Sequence, residues 1–229
     1  MKHLVLIHGW AADSRIWDRQ QTSLAGRAQI WAPDLPGWDA AWVKNYLEAF
    51  DPAETVLVGW SLGGMLALEA CAQGYRPHAL ILLAVCASFC RRPDFALGVP
   101  PAVVRGMRQR LRPEPERVVR DFHQQLLAIG ESRYQEDLQD LLPQSQDPAW
   151  LAQGLAYLGA KDLRQVLPQV NPANLVVVHG ERDRIAAPAQ AYFLREQMPG
   201  ARLVMLPGAG HAAMVTRSQQ LTDLIMEYL

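Results

Sequence analysis

The sequence predicts an α/β domain: a mostly parallel sheet of about six strands with helices between them and a helical cap inserted late. Three observations predict it. Short apolar runs bounded by Gly or Pro recur at 4–7, 29–32, 55–58, 79–84, 175–178 and 203–206. Continuous Val, Leu and Ile runs of that length suit parallel strands buried on both faces. Helical patterns alternate with the runs, near 14–25, 39–50, 62–74, 188–197 and 217–229, as βαβ units require. Between the fourth and fifth runs, about ninety residues carry helical periodicity and no clear strand.

In chain order, the first run leads into His8-Gly9-Trp10, and the second stops at Pro33. The third leads into Gly59-Trp60-Ser61-Leu62-Gly63, then Gly64-Met65-Leu66-Ala67-Leu68-Glu69-Ala70, which reads as a helix. After the fourth run, Val103, Val104, Met107 and Leu111 share one helical face within 101–112. Val118, Val119, Phe122, Leu126 and Ile129 share another within 116–129, and two more helices are expected near 132–142 and 148–159. The cap is therefore 89–161, and the core is 1–88 with 162–229. The fifth run leads into His179-Gly180-Glu181-Arg182-Asp183, and the sixth into Gly208-Ala209-Gly210-His211.

A chain of 229 residues can bury a sizeable core as one such domain. Half the residues are hydrophobic and 20% are charged, as in soluble globular proteins. The net charge of -1 argues against nucleic acid as a partner of the whole molecule. No run approaches the ~20 apolar residues of a membrane helix, and the first apolar run is shorter than a secretory h-region. Cys71, Cys86 and Cys90 cannot all pair internally, so reduced thiols in a cytoplasmic protein are expected. Cys86 and Cys90, four apart, are not a strong zinc spacing without further ligands, and no metal or organic cofactor is implied.

The chemistry lies where the strands end. Ligand crevices of open α/β sheets form at the C-terminal ends of the strands. Strand, Gly-x-Ser-x-Gly, helix exposes a serine on a sharp turn. A serine hydroxyl needs an adjacent base to act as a nucleophile at neutral pH. The order Ser61, Asp183, His211 is the chain order of one known triad arrangement. In it His211 takes the Ser61 proton, and Asp183 fixes the imidazole tautomer and stabilises the imidazolium. The backbone N–H groups of Trp10 and Leu62 are the candidate oxyanion donors. Trp10, Trp60 and Leu62 are the candidate substrate-binding residues.

These motifs resemble those of the α/β-hydrolase superfamily: His8-Gly9-Trp10, Asp34-Leu35-Pro36-Gly37, Gly59-Trp60-Ser61-Leu62-Gly63-Gly64, His179-Gly180-x-x-Asp183 and Gly210-His211. Within it the chain is similar to BioH-type pimeloyl-[acyl-carrier protein] methyl ester esterases of biotin synthesis. Trp10, the Gly-Trp-Ser-Leu-Gly-Gly stretch, Gly154-Leu155 and Asp162-Leu163-Arg164 carry that closer likeness. The resemblance implies an α/β-hydrolase fold whose two usual N-terminal strands are missing, so that 29–32 becomes the sheet edge. It implies a serine carboxylesterase working through an acyl-enzyme on a small acyl ester. The specific substrate it implies is the methyl ester of pimeloyl-acyl-carrier protein. The stretch Trp38-Asp39-Ala40-Ala41-Trp42 departs from the family pattern and alters the pocket mouth.

Other readings stand beside these. Ser61 as a tight-turn serine, Asp183 as a turn cap with Glu181 or Asp94 as the acid, and Trp60 as ordinary core packing remain open. His8 reads as an ordering residue of the oxyanion loop, His179 as a packing residue, and His78 and His123 as surface residues. Arg105, Arg108 and Arg112 share a helix face, which Arg117 and Arg120 extend. They are either a solvated cationic surface or, as the resemblance implies, a dock for acidic acyl-carrier protein. A general short-chain acyl esterase, a carbon–carbon bond hydrolase of the same fold and a non-catalytic ligand receptor are the competing functions.

Overall fold

Six strands form a single sheet in the order β2-β1-β3-β4-β5-β6, with every neighbouring pair parallel. The structure is a computed structural model that describes residues 1–143 and 146–229. The strands are β1 (His3–Ile7), β2 (Gln29–Trp31), β3 (Thr55–Trp60), β4 (Ala79–Leu83), β5 (Asn174–Gly180) and β6 (Arg202–Leu206). All residues of β3 and β4 are buried, as their unbroken apolar sequences require of central strands covered on both faces. β2 has no fully buried residue and lies at the edge, as expected for 29–32.

The chain turns from β1 to β2 on one side and returns to β3 on the other. Ligands of open α/β sheets bind at such a reversal, beyond the C-terminal ends of the strands, here those of β1 and β3. α3 (Leu62–Ala72) starts directly after Ser61 at the end of β3. It is buried along most of its length, which explains a sequence that is apolar nearly all round.

Around the sheet lie α1 (Asp18–Ser23), α2 (Ala40–Leu47), α8 (Ala189–Gln197), α9 (Ala213–Thr216) and α10 (Ser218–Met226). The helical pattern at 14–25 divides, because the Asp13 side chain caps a separate 3-10 turn at Ser14–Trp17 before α1 begins.

Between β4 and β5 lie α4 (Pro101–Arg110), α5 (Pro115–His123), α6 (Gln135–Leu141) and α7 (Pro148–Ala160). Proline at the first helical positions and the Asp147 side chain on the Ala149 N–H start α7. α5 stops six residues short of the expected 129. Its apolar spacing continues, but Leu126 leaves the helical ladder and Gly130 adopts φ +100°.

Indole N–H groups tie α7 to the core. Trp10 Nε1 donates to Leu151 O at 2.9 Å, Trp38 Nε1 to Trp150 O at 3.0 Å, and Trp150 Nε1 to Leu35 O at 3.0 Å. At the far end of α7, Glu69 of α3 accepts from Tyr157 Oη and Lys161 Nζ, each at 2.5 Å. Burial, with the Glu69 charge beside it, pushes the Tyr157 phenol far up, so the hydroxyl remains a donor. His123 is a correction to the surface reading: it is part-buried, and its Nε2 donates to Ala11 O at 2.8 Å.

Tyr157→Phe removes one charge-assisted hydrogen bond and is expected to lower stability by about 1–2 kcal/mol. Urea unfolding measures it, and an unchanged midpoint would contradict the anchoring role of Glu69.

Candidate active site

Ser61 sits at the turn between β3 and α3 with φ 54° and ψ -121°, outside the regions L-residues ordinarily occupy. A Cβ on Gly63 would collide with His8 O, so only glycine lets the turn pack against the loop after β1. On the other side, a Cβ on Gly9 would lie 3.1 Å from Ser61 Cβ, which brings the Gly9-Trp10 backbone beside the serine. Leu62 is the first residue of α3, so its N–H has no partner within the helix. His8 orders this loop: its Nδ1 donates to Gly9 O at 2.9 Å, and its Nε2 accepts from Leu35 N at 3.1 Å. Burial lowers the His8 pKa, consistent with that neutral tautomer.

Asp183 follows β5 and is 7% exposed. Its Oδ1 accepts from the backbone N–H groups of Ile185 and Ala186 at 2.8 and 2.9 Å. Its Oδ2 lies 2.7 Å from His211 Nδ1 and 3.3 Å from His179 Nε2. Burial alone would raise this carboxyl. The interaction with His211, with hydrogen bonds from His179 and His211, outweighs burial and holds the group below the ordinary carboxylate value. The carboxylate can only accept, so His211 Nδ1 carries the proton and Nε2 is left as an acceptor. His211 Nε2 is buried and has no hydrogen-bond partner among the described residues. Ser61 and His211 are thus not hydrogen-bonded to each other.

The alternative acids lie elsewhere. Asp94 is exposed and pairs with Arg164 at 2.9 Å, and Glu181 is exposed on the loop after β5. His179 is more than packing. It is fully buried, and its Nε2 contacts both Asp183 and, at 2.9 Å, Ala186 O. Its position four residues before Asp183 was the only sequence signal for that contact.

Trp10 lines a cavity of about 130 Å³ with Phe89, Met107, Phe122, Leu155 and Ile185. Trp60 and Leu62, expected as substrate contacts, do not line it, and both are fully buried. Trp60 instead donates its indole N–H to His211 O at 3.0 Å. Among the described residues, no group of three or more His, Cys, Asp or Glu side chains is arranged to hold a metal ion. Cys71, Cys86 and Cys90 are buried and unpaired. No described helix is long and apolar enough to cross a membrane.

The five arginines have different surroundings. Arg105, Arg108 and Arg112 line an open cavity of about 580 Å³ with Pro148, Ala149 and Ala152. Arg117 pairs with Glu114 at 3.2 Å, and Arg120 faces a separate cavity beside Glu116 and His123.

The family model for the alpha/beta hydrolase family matches residues 4–224. The chain belongs to that family. It is 31% identical to a pimeloyl-[acyl-carrier protein] methyl ester esterase of Nitrosomonas europaea, over 95% of this chain and 91% of that protein. It is 29% identical to a protein of the same description from Aeromonas hydrophila, over 99% and 94%. An esterase from Exiguobacterium antarcticum superposes with a TM-score of 0.87 at 19% identity, covering all of this chain and 91% of that one, which shows the fold. The expected membership of an ester-hydrolase branch of the α/β hydrolases, like the BioH-type enzymes, agrees with these relatives.

Because the folded Asp183 pKa is depressed, its ionised form contributes stability above the unfolded value of about 3.9 and loses it as pH falls below. The stability gap between wild type and Asp183→Asn is expected to narrow as pH is lowered from about 6 to about 3. Urea unfolding across that range tests it, and a constant gap would contradict the assignment.

Proposed function

We propose that the chain is a serine carboxylesterase with Ser61 as nucleophile, His211 as general base and acid, and Asp183 as the acid that orients the imidazole. The observation that carries this reading is the buried His211 Nε2, unpartnered while Nδ1 is held by Asp183 at 2.7 Å. A buried acceptor with no partner costs free energy, and here it faces the demand for a base.

Ser61 Oγ attacks the ester carbonyl carbon as its proton passes to His211 Nε2. The tetrahedral oxyanion accepts hydrogen bonds from the Trp10 and Leu62 backbone N–H groups. The intermediate collapses, His211 returns the proton to the leaving alcohol, and an acyl-enzyme on Ser61 remains. Water then attacks with His211 as base, releasing the acid and restoring the serine. Asp183 stays ionised throughout and stabilises the imidazolium.

The segment 89–161 acts as a cap that sets the acyl pocket, with the apolar cavity beside Trp10 taking part of the chain. The relatives' substrate supports a finer reading: this enzyme cleaves the methyl ester of a pimeloyl group carried by an acyl-carrier protein, in biotin synthesis. Arg105, Arg108 and Arg112 present exposed positive charge on one face of that cap, suited to an acidic carrier. Arg117 and Arg120 are peripheral to that dock, since one is paired and the other faces elsewhere.

Ser61→Ala is expected to lower p-nitrophenyl butyrate turnover by about 10⁴ or more with the fold intact. Retained turnover would overturn the nucleophile assignment. Charge reversal at Arg105, Arg108 and Arg112 is expected to slow acyl-carrier substrates by about tenfold or more and spare p-nitrophenyl esters. Equal effects on both substrates would overturn the docking reading.

A further inference from the structure

Glu131 lies in the turn that follows α5, 3% exposed, and is the buried carboxylate of the inserted segment among its described residues. A carboxylate taken out of water is tolerated only when paired and hydrogen-bonded. Its Oε1 accepts from Arg217 Nη1 at 3.0 Å. Its Oε2 accepts from two backbone N–H groups, Ala128 at 2.9 Å and Gly210 at 3.0 Å. Gly210 immediately precedes His211. Arg217 closes the loop on the other side, donating to Pro207 O and Thr216 O at 2.9 Å each.

A second contact runs the same way. Leu126 O accepts from His211 N at 2.8 Å and from Ala212 N at 3.1 Å. The two backbones are pressed together here: a Cβ on Gly210 would lie 2.5 Å from Ala128 N and 2.7 Å from Leu126 O. Three consecutive backbone N–H groups, Gly210 to Ala212, are therefore bound by the stretch 126–131, which belongs to the inserted segment.

We propose that Glu131 is a positioning residue: its carboxylate joins the inserted segment to the backbone of the His211 loop and sets the imidazole against Ser61. This rests on the reading of His211 as the base. Seating of the cap and alignment of the base are then one event, because the hydrogen bonds that hold the segment in place also hold the histidine. Misalignment by a fraction of an ångström is enough to cost rate in a proton transfer between fixed groups.

The test counts active sites with a fluorophosphonate and measures p-nitrophenyl acetate kinetics per titrated site. Glu131→Ala is expected to lower kcat by about tenfold or more with KM within about twofold of wild type. Amide exchange at Gly210 is expected to accelerate. Glu131→Gln keeps an acceptor oxygen for Gly210 and is expected to retain kcat within about threefold, although it loses stability beside Arg217. A role in stability alone would lower the melting temperature and leave kcat per titrated site unchanged, and that result would overturn the proposal. Equal losses in Glu131→Gln and Glu131→Ala would also overturn it. If Glu131→Ala does not fold, Glu131→Asp, shorter by one methylene, carries the same expectation. Retained turnover in Ser61→Ala would remove the reading beneath. An inactive Ser61→Ala beside a fully active Glu131→Ala would remove only the positioning role.

Discussion

A carboxylate buried against an imidazole has to be compensated from several directions at once. In this protein the pair is Asp183 and His211, 2.7 Å apart with both side chains fully buried. Its surroundings follow from that demand. Two backbone N–H groups meet the outer oxygen of Asp183, and His179 approaches the inner one. The Trp60 indole and Leu126 hold the histidine backbone at its carbonyl and its amide. Ser61, at the end of β3, is held by its own strained backbone.

The sheet makes this arrangement possible. Parallel strands bring all their C-terminal ends to one edge, so residues over a hundred positions apart converge there. The inserted helices are bound to the core at several places, among them the indole bonds at α7, Glu69 beneath α7, His123 on Ala11 O, and the 126–131 stretch at His211. The 126–131 attachment differs from the others because it ends on a proposed catalytic residue.

Much of the framework was legible in the sequence, for a physical reason. Strands buried on both faces must be apolar throughout, so runs such as 55–58 and 79–84 stand out from amphipathic helices. The turn after β3 and the residues following β5 and β6 were legible because sharp turns demand particular residues at particular spacings. What escaped the sequence was made by packing between distant segments. Leu126 and Ile129 continue a helical period, yet Leu126 breaks off to bind His211, and Ile129 is 79% exposed. Nothing local marks Glu131 as buried, since its partner Arg217 is 86 positions away. Trp60 and Leu62 could not be assigned to pocket or core from sequence, because residues at a strand end differ in exposure by which face they meet. For the arginines, spacing gave shared helix faces but not their surroundings, where Arg117 pairs with Glu114 and Arg120 lines a cavity beside His123.

The central claim is that Ser61 is acylated with His211, oriented by Asp183, as its base. Rapid-quench mass spectrometry of the protein mixed with p-nitrophenyl acetate tests it most directly. The account predicts an acetyl group on the peptide containing Ser61, formed within one turnover by the wild type and slower by about 10³ or more in Asp183→Asn. An acetyl group on another residue, or equal rates in the two proteins, would contradict it.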